Sequence, residues 1–468
     1  MASRPLSVAQ VSTYDRHGGA EKIAYNLWQA YRARGLPSWL VVGRQKTDTP
    51  EIVVLPNRQS RGPWARFWRN WGDGVFAALA GQRGQWWVRN LFYGLANPNW
   101  WLNRRYGYED FDYPGAWKLL EILPSWPDIL HCHNLHGNYF DLRALPWLGQ
   151  RVPVVLTLHD AWLLTGHCAH SFDCDRWRSG CGHCPDLRSF PAIQRDATAE
   201  NWQRKQTIFS GWPLYVVTPS RWLMDRVEQS LLAPAIKAAR VIPNGVDVAT
   251  FQPTVDRRLQ RCSLNLPLEA TIILTVANGL RENIWKDYQT LRLAVARLAE
   301  RLSHQNLYFL ALGEAGPDET LGRARIHFVP FQTDEKKVAS YYQAADLFLY
   351  AAQVDTFPTT VLEALACGTP VVGTAVGGIV EQVNSLWPVT GAQVLAHPAA
   401  EASGILVPKQ DRVGLAAAAE LLVTNDELRC RLGQNAAREA RRRFALHQQV
   451  EAYLNWYQEI VCDFQTQF

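Results

Sequence analysis

Apolar and polar positions along the 468-residue chain follow two alternating regimes. Short, largely apolar runs at residues 6–11, 40–42, 128–133, 154–158 and 214–218 read as strands buried on both faces, the habit of parallel sheets. Between them apolar residues recur at helical spacing, as Ile23, Leu27, Ala30 and Tyr31 do in the helix expected over 20–34. The pattern pauses at 240–253 (RVIPNGVDVATFQP), where an Asn-Gly turn and two prolines read as an interdomain connection. It resumes with strands at 271–276, 307–312, 326–329, 347–350, 370–373 and 406–407 and helices at 291–302 and 335–344. Helices over 412–423, 427–444 and 448–464 end it. Strand–helix alternation on both sides of the pause predicts an α/β protein of two doubly wound domains, residues 1–242 and 243–445, followed by a C-terminal helix at 446–468. Length agrees, because single cores stop growing beyond about 250–300 residues.

Two stretches depart from this rhythm. The first is an insertion over 57–112, whose helical pieces (WARFWRNW, QWWVRNLFYGL) are broken by Gly and Pro, so a subdomain is expected. Net charge is only +5, but residues 57–105 hold eight Arg, one Asp, no Lys or Glu, and seven of the twenty Trp. Trp at that density beside Arg suits a membrane interface or a carbohydrate surface better than duplex nucleic acid. The alternative is an ordinary helical insertion with Trp in its core. No apolar run reaches the roughly 18 residues that span a bilayer, and MASRPLSVAQVS does not read as a signal peptide. The expectation is a cytoplasmic protein with peripheral contact at the cytoplasmic membrane face and no nucleic-acid partner.

The second departure is the loop 166–186, GHCAHSFDCDRWRSGCGHCPD. Cys181-x2-Cys184 has the spacing with which two thiolates grip a tetrahedral metal. Cys168 and Cys174 would complete a four-sulfur site, or His170 would replace one of them. A structural zinc is the first reading; free thiols and a disulfide are the alternatives. Four ligands leave no open position, so nothing argues for catalytic zinc.

The remaining chemistry gathers at strand ends. Gly18-Gly19 stands between a strand and a helix, where backbone N–H groups approach a phosphate, although a plain tight turn fits as well. His159 ends a strand and faces the ligand side of such a sheet as an orienting donor to a sugar hydroxyl. Arg281 and Lys286 share one loop and suit a diphosphate. Glu363, on the helix after an acidic loop, suits a ribose diol, because a carboxylate accepts two O–H bonds at once. Asp355 on that loop suits hydroxyls of a second sugar, and Gly377-Gly378 leads to Glu381. Diphosphate, ribose and sugar together describe a sugar nucleotide, expected in a cleft between the two hinged halves.

Asp355-x7-Glu363 followed by ALACGTPVVGTAVGGIVE resembles the E-x7-E signature of glycosyltransferase family 4, the glycosyl transferases group 1 family. GGAEK at 18–22, the TLHD strand end, VVTPS at 216–220, VIPNGVD at 241–247 and KDYQTL from Lys286 fall in that family's order. Only the Trp/Arg insertion lies largely outside the resemblance. It implies the GT-B fold, two Rossmann-like domains facing across a cleft. It also implies sugar transfer from a nucleotide-diphosphate donor to a glycan or lipid-linked acceptor, with retained configuration and no metal in the reaction. Carried over by position, Arg281 and Lys286 stabilise the diphosphate, Glu363 binds the ribose, and Asp355 contacts the donor sugar. Gly377 and Gly378 join the donor site, Gly18-Gly19 lies near diphosphate and acceptor, His159 sits against the donor sugar, and Glu381 braces the glycine loop. One departure is that the first acid is Asp355 rather than Glu, shorter by a methylene. The cysteine loop is similar to a segment of bacterial exopolysaccharide and colanic-acid-type transferases, which points to polysaccharide biosynthesis. The competing expectations are a sugar-nucleotide epimerase of the same architecture and a scaffold without chemistry.

Overall fold

The computed structural model describes residues 5–16, 18–82 and 84–466. Met1–Arg4 and Gln467–Phe468, the outermost ends of the expected first domain and C-terminal helix, lie outside the described residues. The chain forms two compact units. One comprises the described residues up to Thr218, Leu223–Val241, and those from Tyr453 onward; the other comprises Pro219–Trp222 and Ile242–Ala452.

The first unit is built on seven strands: β1 (Val8–Tyr14), β2 (Ser38–Arg44), β3 (Ile52–Val54), β4 (Ile129–His133), β5 (Val154–Thr157), β6 (Leu214–Thr218) and β7 (Ile236–Val241). Their order is β3-β2-β1-β4-β5-β6-β7, and every pairing is parallel. The five strands expected from apolar runs are present. Two more flank them at the edges. β7 was not legible as a strand because an edge needs no continuous apolar run, and IKAARV is nowhere fully buried. Strand order reverses between β1 and β4, which makes their C-terminal ends the switch point where such sheets bind ligands. The helix Gly19–Ala33 leaves β1 there and buries Ile23, Leu27 and Tyr31. The insertion folds as three helices, Pro63–Ala78, Gln85–Ala96 and Pro98–Tyr106.

The last helix, Leu446–Gln465, does not stand apart as a third segment. From Tyr453 onward it belongs to the first unit, because its phenols find partners there. Tyr453 OH bonds Thr157 Oγ1 at 3.0 Å, Tyr457 OH bonds His131 Nδ1 at 2.6 Å, and Tyr215 OH donates to Asp463 Oδ2 at 2.6 Å.

The second unit repeats the plan with β8 (Thr271–Val276), β9 (Leu307–Leu312), β10 (Glu319–Leu321), β11 (Ala324–Val329), β12 (Leu347–Tyr350), β13 (Val371–Thr374) and β14 (Gly404–Val407). The order is β10-β11-β9-β8-β12-β13-β14, parallel except for the edge hairpin β10–β11. Both faces of this sheet are covered, which is why its strands read as unbroken apolar runs. Along β12, Phe348 and Tyr350 enter one core cluster while Leu347 and Leu349 enter the other. The switch point lies between β8 and β12. No described helix is long and apolar enough to cross a membrane.

Candidate active site

Each unit carries its own group of polar side chains at its switch point. In the first unit, Gly18 caps the helix Gly19–Ala33, and its N–H donates to Glu21 Oε2 at 3.1 Å. A carboxylate thus occupies the helix end where an anion is favoured. The β1 and β4 ends are tied by Thr13 Oγ1, which donates to the carbonyls of Asn134 (3.2 Å) and His136 (3.1 Å).

His159 follows β5 and is half-buried. Its Nε2 lies 2.9 Å from His133 Nδ1, and His133 Nε2 lies 2.6 Å from Gln10 Oε1. With the Gln10 amide placed oxygen-first, His133 donates through Nε2 and accepts at Nδ1. His159 therefore donates through Nε2, and its Nδ1 is the ring's acceptor. Burial pushes the His159 imidazole down to about 4 and holds His131 and His133 well below the usual range, so all three are neutral near pH 7. His136 behaves oppositely. Burial lowers it, but the Asp160 carboxylate at 2.7 Å outweighs burial and raises it overall.

In the second unit Lys286 and Asp355 come together. Lys286 Nζ lies 2.5 Å from Asp355 Oδ2, and Tyr350 OH donates to the same oxygen at 2.6 Å. Tyr350 also accepts from Lys286, and the ammonium sits 4.6 Å from the centre of its ring. Burial, then the Asp355 carboxylate, hold the Tyr350 phenol far above its ordinary range, so it stays a donor. Position along the sheet explains the meeting: Lys286 comes from the loop after β8, Tyr350 ends β12, and Asp355 follows it.

Glu363 is buried on the helix Thr359–Ala366 and accepts from Tyr342 OH at 3.0 Å. The glycine pair is pressed against the acidic loop. Gly378 N–H donates to the Asp355 carbonyl at 3.2 Å, and a Cβ on Gly377 (φ +54) would lie 1.8 Å from that same oxygen. No other residue fits there without moving the loop. Glu381 accepts from the backbone N–H groups of Arg221 (2.8 Å) and Trp222 (2.9 Å), which anchors residues 219–222 to this unit. Arg281 is engaged apart from this cluster. Its guanidinium pairs with Glu314 at 3.2 Å, donates to the Pro317 carbonyl at 2.9 Å, and stacks 3.7 Å from the Phe328 ring centre.

Sequence reasoning missed the partners. Tyr350 and Tyr342 looked like core residues, Glu314 enters from the end of β9, and His133 was read only as part of a strand. Its place at the C-terminal end of β4 was the signal that could have found it.

The cysteine loop is held by protein contacts. All nine cysteines are free thiols, and among the described residues no three His, Cys, Asp or Glu side chains are gathered to hold a metal ion. Cys168, Cys174, Cys181 and Cys184 therefore do not form a ready four-sulfur site as placed. Gly166 N–H donates to Cys181 Sγ at 3.2 Å, and His167 Nε2 lies 3.4 Å from Cys184 Sγ. Burial pushes the Cys168 thiol up to about 12 and the Cys181 thiol up to about 11. The loop closes through Gly182 N–H to Thr198 Oγ1 (2.9 Å), Cys184 N–H to Asp196 Oδ2 (2.7 Å) and Trp202 Nε1–H to the Trp177 carbonyl (2.8 Å).

Two family models match this chain: "Glycosyltransferase Family 4" over residues 17–250, and "Glycosyl transferases group 1" over 256–439. WcaC of Escherichia coli K12, named as a colanic acid biosynthesis glycosyl transferase, is 29% identical over 258 residues. That match spans 53% of this chain but only 60% of the relative's own length. A D-inositol 3-phosphate glycosyltransferase of Corynebacterium jeikeium K411 is 30% identical over 350 residues, 70% of this chain and 72% of the relative. Among solved structures, Anabaena HepE in complex with UDP superimposes with a TM-score of 0.59 at 14% identity, covering 97% of this chain and all of that one. At that identity the likeness speaks for the fold.

Proposed function

The chain belongs to glycosyltransferase family 4, and on that premise we propose that it transfers a sugar from a nucleotide-diphosphate donor to a glycan or lipid-linked acceptor. The reading includes retained configuration, a place in polysaccharide biosynthesis, and work at the cytoplasmic face of a membrane. The observation that carries it is the Lys286–Asp355–Tyr350 cluster at the β8/β12 switch point, with buried Glu363 on the following helix.

Chemistry follows from charge. A departing nucleoside diphosphate gains negative charge as the glycosidic bond breaks, and Lys286, oriented by Asp355 and Tyr350, supplies a fixed positive one. Arg281, released from Glu314 or acting beside it, is the second cation of this reading. Glu363, oriented by Tyr342, accepts from the ribose hydroxyls. Within the first unit, Gly18-Gly19 and His159 are the groups of this reading that would meet a sugar, His159 as a neutral ring. The leaving phosphate oxygen takes the acceptor's proton as the new C–O bond forms on the same face; trapping a glycosyl adduct on any side chain would refute that step.

Thermal unfolding with UDP, GDP and ADP, then with matching sugar nucleotides, tests the reading. A ligand at a hundred times its Kd adds about 2.7 kcal/mol, so one nucleotide should raise Tm by several degrees. Glu363→Ala should abolish most of that rise. No response to any nucleotide sinks the proposal, and interconversion of sugar nucleotides without an acceptor makes the protein an epimerase.

The cysteine loop carries a separate proposal, a structural zinc on Cys168, Cys174, Cys181 and Cys184, supported by spacing alone. No step of the transfer runs through it. Its expected outcome is about one zinc per chain by elemental analysis; less than about 0.2, with four titratable thiols, removes it.

A further inference from the structure

The Trp/Arg insertion solves only half of its own burial problem. Helices Pro63–Ala78 and Gln85–Ala96 pack through an inner seam. Trp68 stacks on Phe92 with 5.9 Å between ring centres, Phe76 meets Trp86 edge-on at 4.6 Å, and a Cβ on Gly72 would lie 2.9 Å from Phe92. The seam brings rings together without burying them: Trp68, Phe76 and Phe92 are half-buried and Trp86 is 59% exposed. A second apolar stripe remains on each helix. Trp64, Phe67 and Trp71, three and four residues apart, form one; Trp87, Leu91 and Leu95, four apart, form the other. Their exposures run from 41% to 71%. Trp64 Nε1–H donates to the Leu95 carbonyl at 3.0 Å, so the two stripes meet at one end of the hairpin.

Charge says what covers them. Arg58, Arg66, Arg104 and Arg105 of the same insertion are exposed. Asp73, the one acid of residues 57–105, is already engaged by Arg89 at 3.2 Å, by Tyr93 OH at 2.7 Å and by Arg58 at 3.7 Å. Arg104 and Arg105 stack over Trp100 and Trp101 at 5.6 and 5.5 Å, an aromatic–cation pairing suited to a boundary between hydrocarbon and water. A symmetric contact with a second copy of this chain would set arginine against arginine. A glycan gives the exposed leucines no partner.

We propose that this hairpin face docks on an anionic lipid bilayer, with the aromatic stripes in the headgroup–acyl boundary and the arginines on lipid phosphates. Docking needs no catalytic reading to hold. Combined with the transferase reading, it names the surface that would bring the enzyme to a lipid-linked acceptor.

Co-sedimentation of the full chain with phosphatidylcholine vesicles, with and without phosphatidylglycerol, is the test. Binding should require the anionic lipid and weaken in high salt. Trp64→Ser/Phe67→Ser/Trp71→Ser should lower it at least about tenfold. Arg66→Glu/Arg105→Glu, at exposed positions with no buried packing to lose, should lower it with Tm unchanged. Hydrolysis of a sugar nucleotide in solution, read separately, should match the unaltered protein in both variants. Absence of vesicle binding overturns the proposal, as does unchanged binding by the arginine variant. A dimer that the tryptophan variant makes monomeric assigns the face to a second copy and overturns it too.

Discussion

Lys286→Ala is expected to lower sugar-nucleotide turnover about 10²–10³-fold, with a smaller change in KM. The size follows from what the ammonium does. Its side chain is only 14% exposed, where charge is poorly screened, and two groups hold it, Asp355 Oδ2 at 2.5 Å and the Tyr350 hydroxyl. A cation fixed before the reaction pays no reorganisation when the diphosphate leaves, so most of its effect falls on the transition state. The partners should rank by how firmly each holds it. Asp355→Asn keeps the shape but removes the charge that orients Lys286, and should cost less than Lys286→Ala. Tyr350→Phe removes one hydroxyl and should cost least. Nucleotide release at saturating donor measures all three, with Tm confirming the fold. Turnover by Lys286→Ala equal to that of the unaltered protein ends the assignment; a larger loss in Tyr350→Phe than in Asp355→Asn reverses who positions whom.

Much of the architecture was legible because both sheets are covered on two faces. β8, β9, β12 and β13 each read as an apolar run, and parallel strands buried on both sides can hardly read otherwise. The edges escaped. β3 spans three residues, β10 is a short hairpin arm, and β7 is too polar to register. In the insertion the helices were visible but the faces were not. Tryptophan at three-to-four spacing lines both the inner seam and the outer stripes, and no pattern of residue types separates Trp68, stacked on Phe92, from Trp71, 56% exposed.

The candidate site divides in the same way. Asp355, Glu363 and Gly377-Gly378 stood out by order and chemistry, and the structure sets the glycine pair on the Asp355 carbonyl. Their partners did not stand out, because a tyrosine that ends an apolar strand looks like core until its hydroxyl is located. Arg281 shows the converse. Sharing a loop with Lys286 suggested shared work, yet Glu314, from a different strand end, takes its guanidinium. Cysteine spacing likewise reports which thiols lie near in sequence, and says nothing about the side chain that fastens the loop from a helix further along.

That side chain is Lys205, and Lys205→Met is expected to cost about 3–5 kcal/mol of stability, the usual penalty for breaking a buried ion pair from one side. Lys205 is fully buried on the helix Thr198–Phe209. Its ammonium donates to the Trp162 and Thr165 carbonyls, each at 2.9 Å, and forms an ion pair with Glu109 Oε2 at 2.8 Å. It also sits 4.1 Å from the Trp162 ring centre. Methionine matches the length but leaves two carbonyls without their donor and the nearly buried Glu109 carboxylate without its counter-charge, with only Trp162 Nε1–H still donating to it. Adding Glu109→Gln removes that stranded charge, so the double variant should regain part of the loss, and a double-mutant cycle by denaturant unfolding reads the coupling. The consequence reaches the candidate site, because Trp162 and Thr165 lead into the cysteine loop only a few residues after His159 and Asp160. If Lys205 is a staple of this loop, the single variant should lose Tm and nucleotide turnover together. A cost below about 1 kcal/mol would remove that role from the lysine.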